Sequence, residues 1–133
     1  MRFMIIVKAT EASEAGTMPD PGVFKAMGEY HEELEKAGVL LDASGLQPSS
    51  KGWRVTWSGG DRSVTDGPFP EAKELIAGFT LIQVDSREEA LEWANRFPNP
   101  GKEDGEIEVR QLFEMEDFDQ EIQDLFKPTG SDT

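Results

Sequence analysis

Two groups of side chains in this sequence could do chemistry: His31, the single histidine, and the charged stretch from Asp66 to Glu74. An imidazole exchanges protons near neutral pH, so His31 is a candidate acid or base. It also lies within an apolar helical stripe, where a histidine with one ordinary hydrogen bond would serve equally well. In the second group, Lys73 is suited to hold an anionic ligand, with Glu71 or Asp66 as base. A solvated loop with an exposed ion pair is the competing reading. Asp66-Gly67-Pro68 is in addition a turn sequence: aspartate bonds the backbone ahead, glycine relaxes φ and proline fixes it.

Other chemistries have little to stand on. The chain has no cysteine, which excludes a disulfide framework, a thiolate zinc site, an iron–sulfur cluster and a cysteine nucleophile, and suits a reducing compartment. One histidine leaves only carboxylates for a metal, and no acidic spacing resembles a calcium loop, so no metal is expected. No nucleophile elbow, phosphate-binding loop or dinucleotide fingerprint is present, and no cofactor is implied. Asp and Glu number 27 against 13 Lys and Arg, a net charge of -14. That field disfavours nucleic acid and anionic lipid, whose binding rests on basic side chains. The first apolar run, Phe3 to Val7, is far short of the ~20 residues of a membrane span, and a cytoplasmic protein without membrane contact is expected.

The 133 residues suit one domain of the common size, roughly 100 to 150 residues. Residues 2–8 read as a strand apolar on both faces, followed by a polar loop from Glu11 to Pro19. Asp20-Pro21 supplies an N-cap and a first-turn proline. Val23, Phe24, Met27, Tyr30, His31 and Leu34 then mark a helix that Gly38 ends, with Glu32 and Lys36 paired on its wet side. Val39 to Ala43 gives a second strand. Trp53, Val55 and Trp57 alternate with polar residues as a strand with one buried face, and Gly59-Gly60-Asp61 turns it into a hairpin. Leu75 to Val84 is a long strand with Ile76, Gly78, Thr80, Ile82 and Val84 on one face. Ser86 and Glu89 form a capping box for a second helix, and Ile107, Val109, Gln111 and Phe113 mark a last strand. The acidic segment 115–133 carries Phe118, Ile122 and Leu125 at helical spacing, then a disordered end from Pro128.

This order is α+β: a ferredoxin-like βαββαβ unit with an inserted β-hairpin, occupying residues 1–114. Two helices cover one sheet face; the other is too apolar for water, and a second copy of the sheet is its simplest cover, giving a homodimer. Trp53, Trp57, Trp93 and Phe79 are read as core or dimer contacts.

Within this layout the segment Thr65-Asp66-Gly67-Pro68-Phe69-Pro70-Glu71-Ala72-Lys73-Glu74-Leu75-Ile76-Ala77-Gly78-Phe79 closely resembles the DGPF signature of YCII-related proteins. The resemblance extends over Met4-Ile5-Ile6-Val7, Ala37-Gly38-Val39-Leu40, Gly45-Leu46-Gln47-Pro48 and Gly105-Glu106-Ile107-Glu108-Val109-Arg110. It implies a dimeric α/β barrel, akin to small lactone isomerases and dehalogenating enzymes, and in some members a regulatory link to sigma factors. It also implies an acid–base dyad of His31 with Asp42. Beside that dyad, the signature segment offers Asp66 as a further catalytic candidate and Phe69, Glu71 and Lys73 as ligand-binding candidates. Two functions stay open: a cofactor-free enzyme moving protons on a small organic acid or lactone-like substrate, and a non-catalytic module that binds a small ligand or a protein.

Overall fold

The structure, a computed structural model, describes residues 1–101 and 104–127. In chain order the elements are β1 (Arg2–Lys8), α1 (Glu11–Glu14), α2 (Pro21–Lys36), β2 (Leu40–Gly45), β3 (Trp53–Ser58), β4 (Asp61–Asp66), β5 (Ile76–Gln83), α3 (Arg87–Asn95), β6 (Ile107–Gln111) and α4 (Gln120–Leu125), with short 3-10 turns at Ser49–Lys51, Ala72–Glu74 and Met115–Asp117. The main sheet runs β2-β5-β1-β6, and β3 pairs with β4 in a separate ribbon. Every neighbouring pair is antiparallel. This mixed α+β arrangement is compatible with a ferredoxin-like fold.

Helices α2 and α3 pack on one face of the main sheet. Phe3 and Ile5 of β1, Ile82 of β5 and the adjoining Val84 meet Tyr30 and Leu34 of α2 and Ala90 of α3 in the buried core. The alternation along β1 and β5 produces this face: successive side chains of a strand point to opposite sides, and Ile5 lies opposite Thr80 in the register. The Tyr30 hydroxyl donates to the Trp93 carbonyl at 2.7 Å and fastens α2 to α3. Burial pushes that phenol's pKa up to about 12. The ring of Phe97 lies edge-on to Tyr30 at 5.0 Å between centroids, and Arg96 crosses the gap to pair with Glu33 while covering the Trp93 ring.

Several local expectations need correction. The segment after β1 is not all loop: Thr10 and Ser13 exchange side-chain and backbone hydrogen bonds, at 3.1 and 2.8 Å, and start the short helix α1. Asp20 precedes α2, but its carboxylate caps nothing; its carbonyl accepts from Val23 and Phe24 instead. Ser86 does cap α3 by accepting from the Glu89 amide, while the Glu89 carboxylate takes the Asp85 amide rather than that of Ser86. The largest departure is β3. It forms a strand, yet within the chain neither of its faces is buried: Trp53 is 65% and Trp57 66% exposed. The hairpin turn carries positive φ at Gly59 and Gly60, as its sequence requires.

Beyond β6 the chain returns to the start of β1. The Glu114 carboxylate accepts from the Arg2 backbone and guanidinium, and that hydrogen-bonded cation holds its pKa below the usual carboxylate range. Ile122 and Leu125 do fall on a helix, α4. The expected disordered end, Pro128 to Thr133, lies outside the described residues. No helix among the described residues is long and apolar enough to cross a membrane.

Candidate active site

A hollow of about 380 Å³ lies between the first half of α2 and the end of the sheet where β1 finishes and β5 begins. Its origin is in the sequence. Under the second half of α2 the sheet presents Phe3, Ile5 and Ile82, which fill the space as core. Under the first half the matching positions are Ala43 and Gly45 of β2 and Gly78 of β5, with Gly45 directly opposite Gly78. Small residues there leave room beneath Val23, Phe24 and Met27.

His31 reaches into this pocket from α2 and Thr80 from β5. The His31 Nδ1 lies 2.7 Å from the Met27 carbonyl oxygen and its Nε2 2.8 Å from the Thr80 hydroxyl. A carbonyl only accepts, so Nδ1 carries the proton; in the neutral ring Nε2 is the basic nitrogen and the Thr80 hydroxyl donates to it. Thr80 is 2% exposed, so its hydroxyl sits in the wall with a base attached. The pair is equipped to take a proton from a bound molecule through the Thr80 oxygen, the hydroxyl passing its own proton to Nε2. The rings of Tyr30 and Phe97 stand edge-on to the imidazole at 5.6 and 6.5 Å and hold its plane.

Asp42 is not the partner of His31. A strict alternation from Leu40 would place Asp42 on the helix side of the sheet, but the register shifts between these two residues. Asp42 thus stands opposite Leu81, and Ala43 opposite Thr80. The extra residue turns Asp42 to the far face, where its carboxylate accepts from the Ala43 amide at 2.9 Å. The tautomer is fixed by the Met27 carbonyl instead. Asp66 ends β4 opposite Trp53, on the exposed ribbon, and does not line this pocket.

The remaining candidates gather elsewhere. Glu71, Lys73 and Glu74 line a second, broader depression of about 950 Å³ together with Glu11 and Asp104. A hydrogen bond that the protonated Glu71 carboxyl donates to the Glu74 carboxylate, reinforced by the negative charge of Glu74, holds the Glu71 pKa above the usual carboxylate range. Phe69 belongs to neither depression: its amide donates to the Ser49 hydroxyl at 3.0 Å and its ring lies 3.8 Å beneath the Arg54 guanidinium. Ser49 is itself gripped by the Glu14 carboxylate through both its amide and its hydroxyl, so Phe69 anchors the loop after β4 to α1. Among the described residues no cluster of three or more His, Asp or Glu could hold a metal ion.

The YCII-related domain family matches residues 1–116. The chain belongs to that family. An uncharacterized protein of Rhizobium meliloti (strain 1021) is 34% identical over 93 residues, which span 70% of this chain and 75% of the relative. Among solved structures, the 5-chloro-2-hydroxyhydroquinone dehydrochlorinase of Burkholderia phenoliruptrix AC1100, in complex with 2,5-dihydroxybenzoquinone, aligns over 90% of this chain and all of its own, at 14% identity and a TM-score of 0.43. In this YCII-related chain the signature loop and the imidazole pocket are neighbours that meet at Thr10, which lines both depressions.

Sequence reasoning missed Thr80 and the Met27 carbonyl. Thr80 was nonetheless visible as the one hydroxyl in the otherwise apolar set Ile76, Gly78, Ile82 and Val84 on the buried face of β5. The carbonyl leaves no trace in a sequence, because every residue has one.

Proposed function

We propose that this YCII-related chain is a cofactor-free enzyme that moves protons on a small organic acid or lactone-like molecule bound between α2 and the sheet. His31 is its acid–base group and Thr80 its hydroxyl relay. One observation carries this reading: the only histidine is oriented through Nδ1 and presents Nε2 to a hydroxyl in the wall of a pocket large enough for a small molecule. Proton transfer by a positioned imidazole typically contributes about 10²- to 10⁴-fold. Solvent deuterium uptake by a panel of small carbonyl acids and lactones, followed by NMR, tests it. Exchange should fall at least ~100-fold in His31→Gln with little change in melting temperature. Equal exchange in wild type and variant rejects the histidine mechanism.

A second reading, a non-catalytic binding module, is favoured by the β3–β4 ribbon, which exposes Trp53, Trp57 and Val64. Aromatic side chains of this size are typical anchors of protein contacts. In either case we propose that a second copy covers the far sheet face, where Met4, Ile6, Phe79 and Leu81 are only half-buried. Light scattering should then report twice the 14.8 kDa chain mass, whereas a monomer at micromolar concentration would leave that face without its cover.

A further inference from the structure

We propose that the β3–β4 ribbon is an arm that docks on the acidic C-terminal segment, residues 113–127, of a second copy of this chain. The contact builds on the homodimer proposed above and joins two surfaces besides the far sheet face. The first observation is the ribbon itself. Every residue of β3 and β4 is exposed, and the register puts Val55 opposite Val64 and Trp57 opposite Arg62. Residues directly opposite share a face, so Trp53, Val55, Trp57 and Val64 form one apolar side, and the other carries Arg54, Thr56, Ser63 and Thr65. A two-stranded hairpin alone is marginally stable in water, and an exposed apolar side of this kind marks a contact surface.

The second observation is charge. In a chain of net charge -14, Lys51, Arg54 and Arg62 outnumber Asp61 and Asp66 within residues 51–66. Arg62 lies on the apolar side, its guanidinium carbon 5.3 Å from the centre of the Trp57 ring, and among the described residues no carboxylate pairs with it. Residues 113–127 are the complement. Phe113, Leu125 and Phe126 are exposed there, beside Glu116, Asp119 and Glu121, which form no ion pair among the described residues. An aromatic arm with an unpaired cation suits an apolar segment with unpaired carboxylates, and opposite charges across such a contact set partner and register.

The third observation is that the two patches lie at opposite ends of the main sheet. The Met1 and Arg2 carbonyls accept from the Val84 and Leu112 amides, which sets the segment after β6 at the start of β1. The ribbon leaves the sheet after Gly45 and returns at Ile76, which stands opposite Lys8 at the end of β1. The seven residues of β1 separate these ends by about 20 Å. In a two-fold pair each patch meets its counterpart twice. Turning the second copy so that the far sheet faces meet with their strands antiparallel exchanges the ends, and each ribbon then comes to the segment of its partner.

The chain has no cysteine, so two introduced thiols and a short bismaleimide test the contact. Ser58→Cys at the tip of the ribbon and Lys127→Cys just beyond α4 leave both ribbon tryptophans and every core residue in place. The double variant should give a covalent dimer of twice the 14.8 kDa chain mass on denaturing electrophoresis. Neither single variant should, because the two-fold keeps like patches apart. Adding Arg62→Glu should cut the yield several-fold at low salt, a difference that shrinks as salt rises. A protein that is dimeric in light scattering but whose double variant stays uncrosslinked, or crosslinks only within one chain, overturns the docking while the homodimer stands, and leaves the ribbon to a different occupant. Crosslinking of a single variant to itself overturns the exchanged arrangement. A monomer in light scattering overturns the docking and the homodimer together.

Discussion

The pocket at His31 and the acidic depression at Glu71 and Glu74 share Thr10, yet they are built in opposite ways. The pocket is a defect in the core: two helices and a sheet bring Tyr30, Leu34, Ile5 and Ile82 together, and the small residues Ala43, Gly45 and Gly78 leave a space beside them. Its polar groups are few, and both nitrogens of the imidazole are satisfied. The depression lies on a 3-10 turn and its flanking loops, is lined by exposed charge, and places two carboxylates against each other. The first is preorganised by packing that would be costly to move; the second is held by little besides its own turn. A cluster of charge in a sequence is thus a poorer guide to a site than one polar residue placed among apolar ones.

Three substitutions sharpen or break this contrast. Leu34→Ala removes a side chain with 0% exposure from the core that adjoins the pocket, and should cost about 3 kcal/mol, read as a lower urea midpoint. A loss under about 1 kcal/mol would mean that the pocket wall is not continuous with the core. Ala43→Leu fills the pocket from the β2 side; small-molecule affinity should fall at least ~10-fold, with a stability change below about 2 kcal/mol. If affinity holds, ligands bind elsewhere.

The smallest effect is expected at Glu71→Gln. The Glu71 pKa in the folded chain is raised, so between the ordinary carboxylate range and that higher value the native state binds more protons than the unfolded one. Stability therefore declines as pH rises through the interval. The glutamine variant should lose that decline, matching wild type in acid and slightly exceeding it at neutral pH, with pocket binding unchanged. A drop in pocket binding would instead join the two depressions into one site.

Much of the fold was legible, and for physical reasons. Short β-rich runs apolar on both faces placed β1 and β5, and three-four spacing placed α2, including Tyr30 and Leu34 in its buried stripe. The Glu32–Lys36 pair forms as its spacing requires, at 3.1 Å. The faces of β3 were not legible, because an alternating pattern states that one side is apolar without saying whether this chain covers it. The site was half legible. His31 stood out by its type, but its partner was misread because a single extra residue in β2 reverses the facing of Asp42, and register slips leave no mark in composition. The cluster at Glu71 drew attention through its charges, which is also the property that keeps it in water.

The account stands on the His31–Thr80 pair serving a ligand in the pocket, and one measurement addresses that directly. With a single histidine, long-range ¹H–¹⁵N correlation spectra of the ring need no assignment by mutation. In its neutral form the ring should show the Nδ1–H tautomer, and addition of a small carbonyl acid that binds the pocket should shift the Nε2 resonance together with the amides of Gly78 and Thr80. An Nε2–H tautomer, or a ring that ignores the ligand while the amides of Glu71 to Glu74 move, would contradict it.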